Sequence, residues 1–102
     1  DGSWDLDARM RPDEATERLG VTVPEHEDYD TLGGLVTMEL GRLAEVGDEI
    51  VVDTDPAPGE EPARLRIVVV EIDGMRIETV HVIVEAAPDE TDVRAEDEEV
   101  AR

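Results

Sequence analysis

Two histidines, one early serine and a string of carboxylates are the side chains through which this 102-residue chain could do chemistry. His26 sits among Glu25, Glu27 and Asp28, whereas His81 stands in a run of valines and isoleucine far along the chain. Any acid-base or metal pairing between the two depends on the fold, and locally His26 reads as a solvated side chain and His81 as an edge or half-buried imidazole. Ser3 has no Gly-x-Ser-x-Gly elbow around it, so a hydrolase triad is unsupported. Cysteine is absent, which removes disulfides, thiolate zinc sites and a thiol nucleophile.

Two stretches have the composition of a binding site. Thr31-Leu32-Gly33-Gly34 opens a helical pattern, and free N–H groups at a helix start attract anions, so Thr31, Gly33 and Gly34 are candidate contacts for a nucleotide-like group. Neither a P-loop lysine nor a Gly-x-Gly-x-x-Gly pattern accompanies them, and Asp28 and Asp30 close by would repel an anion. The competing reading is that the glycines let the helix pack tightly on a sheet. Asp28 and Asp30, with Glu25 and Glu27, are instead candidate oxygen ligands for a hard divalent cation, although the loop lacks the glycine and terminal glutamate of an EF-hand.

The elements that must position these residues follow from periodicity. Trp4, Leu6, Ala8 and Met10 alternate with polar residues, which predicts a half-buried strand with Trp4 packing into the core. Pro12, Asp13 and Glu14 suit the first turn of a short helix that Gly20 ends. Residues 21–30 form an exposed acidic loop. Leu32, Leu35, Val36 and Leu40 recur at helical spacing, with Asp30 or Thr31 as N-cap and Gly41 as terminator. A strand over Glu49 to Asp53 comes next, then a connection rich in proline that should be mobile. Strands over Leu65 to Ile72 and Met75 to Val84 flank Asp73-Gly74, a dipeptide suited to a type I′ hairpin turn. Val68, Val69 and Val70 predict a central strand with both faces covered.

The order strand, helix, helix, strand, hairpin predicts an α+β fold: a small, mostly antiparallel sheet with two helices packed on one side. Residues 1–86 form that domain. Residues 87–102 hold seven carboxylates against Arg94 and Arg102 and read as an acidic, disordered or marginally helical tail.

Charge narrows the partners. Asp and Glu total 29 against 9 basic residues, all arginine, for a formal net charge of −20. Nucleic acid and anionic membrane surfaces are therefore poor partners, because both are bound through clustered cationic side chains. A lysine-free, acidic composition resembles that of proteins from salt-loving archaea, where acidity adapts a surface to brine. No apolar run approaches the ~20 residues of a membrane helix, so direct membrane insertion is not expected. The chain starts at Asp1 without a signal-peptide pattern, and is expected to be a piece of a longer protein.

Five blocks carry a family resemblance: Asp1-Gly2-Ser3-Trp4, Glu17-Arg18-Leu19-Gly20, Asp28-Tyr29-Asp30-Thr31-Leu32-Gly33-Gly34-Leu35-Val36, Glu45-Val46-Gly47-Asp48 and Glu71-Ile72-Asp73-Gly74. In this order they resemble the transporter-associated domain of the CorC/HlyC family, and the tyrosine-to-valine block is the most specific of them. The resemblance implies a non-catalytic, cytoplasmic domain that follows a CBS pair and a membrane domain linked to magnesium or cobalt efflux and to hemolysis. Its partners would be that CBS pair and membrane domain of the same polypeptide, or its own copy in a homodimer. The fold would resemble part of a PCMH-type FAD-binding domain, which leaves FAD or an adenine nucleotide as alternatives by fold analogy alone and otherwise implies no cofactor. A divalent-cation sensor at Asp28 and Asp30 is the third alternative.

Self-repulsion at this charge weakens the compact state wherever it is unscreened. The melting temperature should rise as sodium chloride goes from about 0.01 M to about 1 M, shortening the screening length from ~30 Å to ~3 Å. A thermal melt that is flat across that range would contradict the expectation.

Overall fold

The computed structural model describes residues 2–86; the predicted acidic tail at 87–102 lies outside the described residues. The chain runs β1 (Ser3–Asp7), α1 (Pro12–Leu19), α2 (Leu32–Leu40), β2 (Glu49–Asp53), β3 (Ala63–Asp73) and β4 (Arg76–Ala86). The strands form one antiparallel sheet in the order β1-β4-β3-β2, so the long hairpin is central and the two five-residue strands are its edges.

Alternation decides what the sheet buries. Leu65, Ile67 and Val69 of β3 and Val80 and Val82 of β4 point to one face, and all are at most 1% exposed. Ala15 and Leu19 of α1 and Leu32, Leu35 and Val36 of α2 close over them, with Val23 and Tyr29 from the intervening loop. Trp4 is half-buried and packs against this cluster. No phenylalanine contributes, so branched aliphatic side chains fill the core.

The opposite face of the sheet is open, which corrects the expectation that both faces of β3 are covered: Val68 is only half-buried and Val70 is 42% exposed. The second correction concerns the hairpin. Asp73 pairs with Arg76, leaving Gly74-Met75 as the two-residue loop, with Gly74 at φ +67° as its first residue. The β3–β4 register is the same at Ala63↔Ala86 and at Asp73↔Arg76, with a local irregularity at Glu71↔Thr79 that cancels, so the pairing of the two long strands sets the turn one residue later than the Asp-Gly pattern implies.

Helix ends obey the local signals. The Glu14 carboxylate accepts the N–H of Arg11 at 3.0 Å, Gly20 takes φ +80° beyond α1, and Gly41 takes φ +71° beyond α2. The proline-rich connection is tied down: the Thr54 hydroxyl accepts the Ala63 N–H at 2.9 Å, and Glu60 accepts from the Ala57 N–H at 2.8 Å and the Thr22 hydroxyl at 2.9 Å. Among the described residues no helix is long and apolar enough to cross a membrane.

Three carboxyls are held below their ordinary range by donors. Arg9 does this to Asp7, the Ala57 N–H to Glu60, and Arg42 followed by the Glu45 N–H to Asp48. Asp48 accepts both Arg42 nitrogens, at 2.9 and 3.0 Å, and so clasps the loop from α2 to β2.

Packing sets the first prediction of the fold. A Cβ on Gly33 would lie 3.3 Å from the Ala8 carbonyl oxygen and 3.7 Å from the Ile77 Cβ. Gly33→Val should therefore cost about 2 kcal/mol in urea unfolding, in the range of an overpacked core. Asp48→Asn tests the clasp. A lowered carboxyl pKa contributes stability that is present above the unfolded value near 4 and is lost as pH falls through the folded value. The variant should melt lower than the parent at pH 7, and the gap should close as the pH drops below about 4.

Candidate functional site

The start of α2 is built on a close backbone approach. Leu32 donates its N–H to the Met10 carbonyl at 2.9 Å, and Gly33 to the Ala8 carbonyl at 2.8 Å. Thr31 is the N-cap, its hydroxyl accepting the Gly34 N–H at 3.0 Å, while its carbonyl takes the Leu35 N–H. The N–H groups that a helix start would offer an anion are thus engaged within the chain. Both glycines stand where a Cβ is crowded: Gly34 would place one 3.0 Å from the Cβ of Tyr29. Their local role is close packing.

Tyr29 organises the acidic loop. It is 7% exposed, and its hydroxyl donates to the Pro24 carbonyl at 2.7 Å, so residues 24–29 fold around the ring. His26 stacks on it with centroids 6.1 Å apart and planes at 17°, and the His26 Nδ1 accepts the Asp28 N–H at 3.0 Å. Burial, then the fields of Glu39 and Glu25, push the tyrosine hydroxyl pKa above its ordinary value.

The loop separates two grooves along α2. The first, about 540 Å³, lies between the helix start, the exit of β1 and the hairpin tip; Thr31, Gly33, Gly34 and Asp28 line it beside Met38 and Met75. Asp30 is exposed and does not line it. The fold thus brings Asp28, and not Asp30, to the groove that the glycines line. Among the described residues no three His, Asp or Glu side chains gather as a metal cluster. Arg9 and Arg76 also line this groove, Arg9 held by Asp7 at 3.0 Å and Arg76 standing 3.7 Å from Glu78.

The second groove, about 390 Å³, runs between the loop, α2 and β2, with Glu25, Tyr29, Met38, Glu39 and Val51 among its walls. Sequence reasoning did not single out Glu39 or Val51, nor Met75 and Arg76 of the first groove. Helical periodicity marks Glu39 only as a solvent-facing position, and no local signal shows which strand edge it overlooks. His81 lies far from both grooves, on the open sheet face, with its Nδ1 2.7 Å from Asp5 Oδ1; Ser3 stands opposite Ile83 in the same sheet.

Comparison with known proteins agrees with this architecture. The model of the CorC_HlyC transporter associated domain matches residues 1–86. The chain is 34% identical over 102 residues to a UPF0053 protein of Synechocystis, covering 97% of this chain and 20% of that protein. It is 30% identical over 83 residues to a UPF0053 protein of Mycobacterium tuberculosis, covering 78% and 18%. The chain therefore spans about a fifth of the length of these curated relatives. Among solved structures, the CorC_HlyC domain of a Corynebacterium glutamicum protein described as a hemolysin superposes with a TM-score of 0.73 at 26% identity, over 81% of this chain and 91% of that one. A Neisseria meningitidis region described as associated with a Mg2+ and Co2+ transporter, CorC, gives 0.62 at 26% identity, over 80% and 88%. With its sheet order, its glycine-seated second helix and a family model that matches the whole described domain, this chain belongs to the CorC_HlyC transporter associated domain family.

Proposed function

We propose that this domain is a non-catalytic accessory module of a larger membrane ion transporter of the CorC or hemolysin-like type. It would lie on the cytoplasmic face and act by packing against a CBS pair, and through it on the membrane domain. The observation that carries the reading is the match of residues 1–86 to a transporter associated domain in a chain that covers only a fifth of its relatives. Magnesium and cobalt enter from the description of the Neisseria relative.

The surface favours contact over chemistry. Met75 is 80% exposed, Val46 63% and Leu43 60%, which leaves apolar side chains in water on the hairpin tip and the loop before β2. The alternatives place ligands at α2 and the acidic loop. An anion such as a flavin or nucleotide phosphate would have to displace the internal acceptors of the first-turn N–H groups.

Removing residues 1–86 from the full-length protein should leave the remainder in the membrane and change how its magnesium flux responds to CBS ligands, without abolishing flux. The isolated 102-residue chain should show saturable binding to the separately expressed CBS pair by calorimetry, and no melting shift with FAD or ATP. A chain that ignores the CBS pair, or that melts several degrees higher with FAD, would overturn the assignment.

A further inference from the structure

We propose that the free edge of β2, together with the groove between β2 and α2, takes an extended peptide segment with arginine or lysine at alternate positions. The inference rests on the contact reading above and names the chemistry of the partner.

Three observations converge on that edge. The first is backbone. β2 is an outer strand, paired only with β3. Thr54 donates to the Ala63 carbonyl and so faces β3; by alternation Val52 and Ile50 do too, which turns the N–H and C=O groups of Val51 and Asp53 outward. Among the described residues no hydrogen bond uses those groups of Val51 and Asp53; the next outward group, the Asp55 N–H, donates to the Thr22 carbonyl at 3.0 Å and closes the edge beyond Asp53. An open row of donors and acceptors is a template for strand addition.

The second is shape. The groove is lined by Leu35 and Val52 from the core side and by Val51, 43% exposed, from the open face, so it wraps over the strand edge instead of ending at it. Met38, 39% exposed, supplies an adaptable apolar wall. Such a floor suits the methylene stem of a long cationic side chain.

The third is charge. Glu25 and Glu39 border the groove and neither has an ion-pair partner among the described residues; no arginine lines it, and its one histidine, His26, lies 3.5 Å from the Asp28 carboxylate. Asp53 also lines the groove and is paired with Arg64, while Glu49, on the same side of β2 as Val51, is paired with Arg66. A second copy of β2 laid against this edge would set carboxylates against carboxylates in a chain of formal net charge −20, whereas a basic strand meets complementary charge. In the added strand, a residue opposite Val51 falls on the open face and favours valine or threonine. Its neighbours, opposite Ile50 and Val52, point into the groove, where arginines reach Glu39 and Glu25.

The test titrates the 15N-labelled 102-residue chain with an acetylated Arg-Val-Arg-Val-Arg amide at about 0.15 M salt, where long-range attraction is screened beyond ~8 Å. Saturable amide shifts should concentrate at Val51, Asp53, Glu25 and Glu39. Glu25→Gln with Glu39→Gln should weaken the peptide about tenfold, while Asp13→Asn with Glu17→Gln on α1, an equal charge change, should leave the affinity within about twofold. N-methylation of the valines should abolish the localised shifts. Shifts scattered over the acidic surface, or equal weakening by the α1 pair, would show general polyelectrolyte attraction and overturn the proposal. A chain that binds the CBS pair with these glutamates replaced, yet shows no localised peptide shifts, overturns the groove and keeps the contact reading. Localised shifts in a chain that ignores the CBS pair keep the groove and remove the contact reading.

Discussion

The structure depends on one close approach: α2 begins directly on the backbone that leaves β1. Two N–H groups of its first turn bond the Ala8 and Met10 carbonyls, and this geometry requires that position 33 carry no side chain. Once the helix is seated there, Leu32, Leu35 and Val36 fall onto the sheet, and Tyr29 becomes the pivot of the preceding loop. Glycine inside a helix costs about 1 kcal/mol relative to alanine. Here the burial and hydrogen bonding it permits offset that cost.

A sheet covered on one face only has to manage the other in a strongly acidic chain. Its arginines are placed between carboxylates of neighbouring strands: Arg66 bridges Glu49 and Glu85, and Arg64 meets Asp53. Individually such exposed pairs contribute at most about 1 kcal/mol. Collectively they break up rows of like charge that would otherwise push adjacent strands apart. The same arrangement leaves the β2 edge short and acid-flanked, which guards against pairing with its own copy.

The glycine pair behind Thr31 organises packing and walls a groove, and of the acidic loop's carboxylates Asp28 lines that groove while Glu25 lines the other. What remains available to a partner is backbone edge, exposed methionine and uncompensated glutamate.

Much of this fold was legible without coordinates. Helix starts and stops followed from Pro12, Gly20, Thr31 and Gly41, and β1 over Ser3–Asp7 from the alternation around Trp4 and Leu6, because capping and period-two burial are local rules written in neighbouring residues. The hairpin loop and the coverage of β3 were misjudged for a common reason. The register of two eleven-residue strands places the turn, which a dipeptide does not report, and three consecutive valines do not reveal whether a second layer exists to cover them. The His81–Asp5 contact, the engagement of the α2 donors by the backbone leaving β1 and the placement of Glu25 and Glu39 on one groove join residues remote in the chain. Sequence alone determined the elements, the core composition and the sign of the surface; tertiary structure alone decided which side chains share a groove, since that depends on strand order and helix seating, distances that no local propensity encodes.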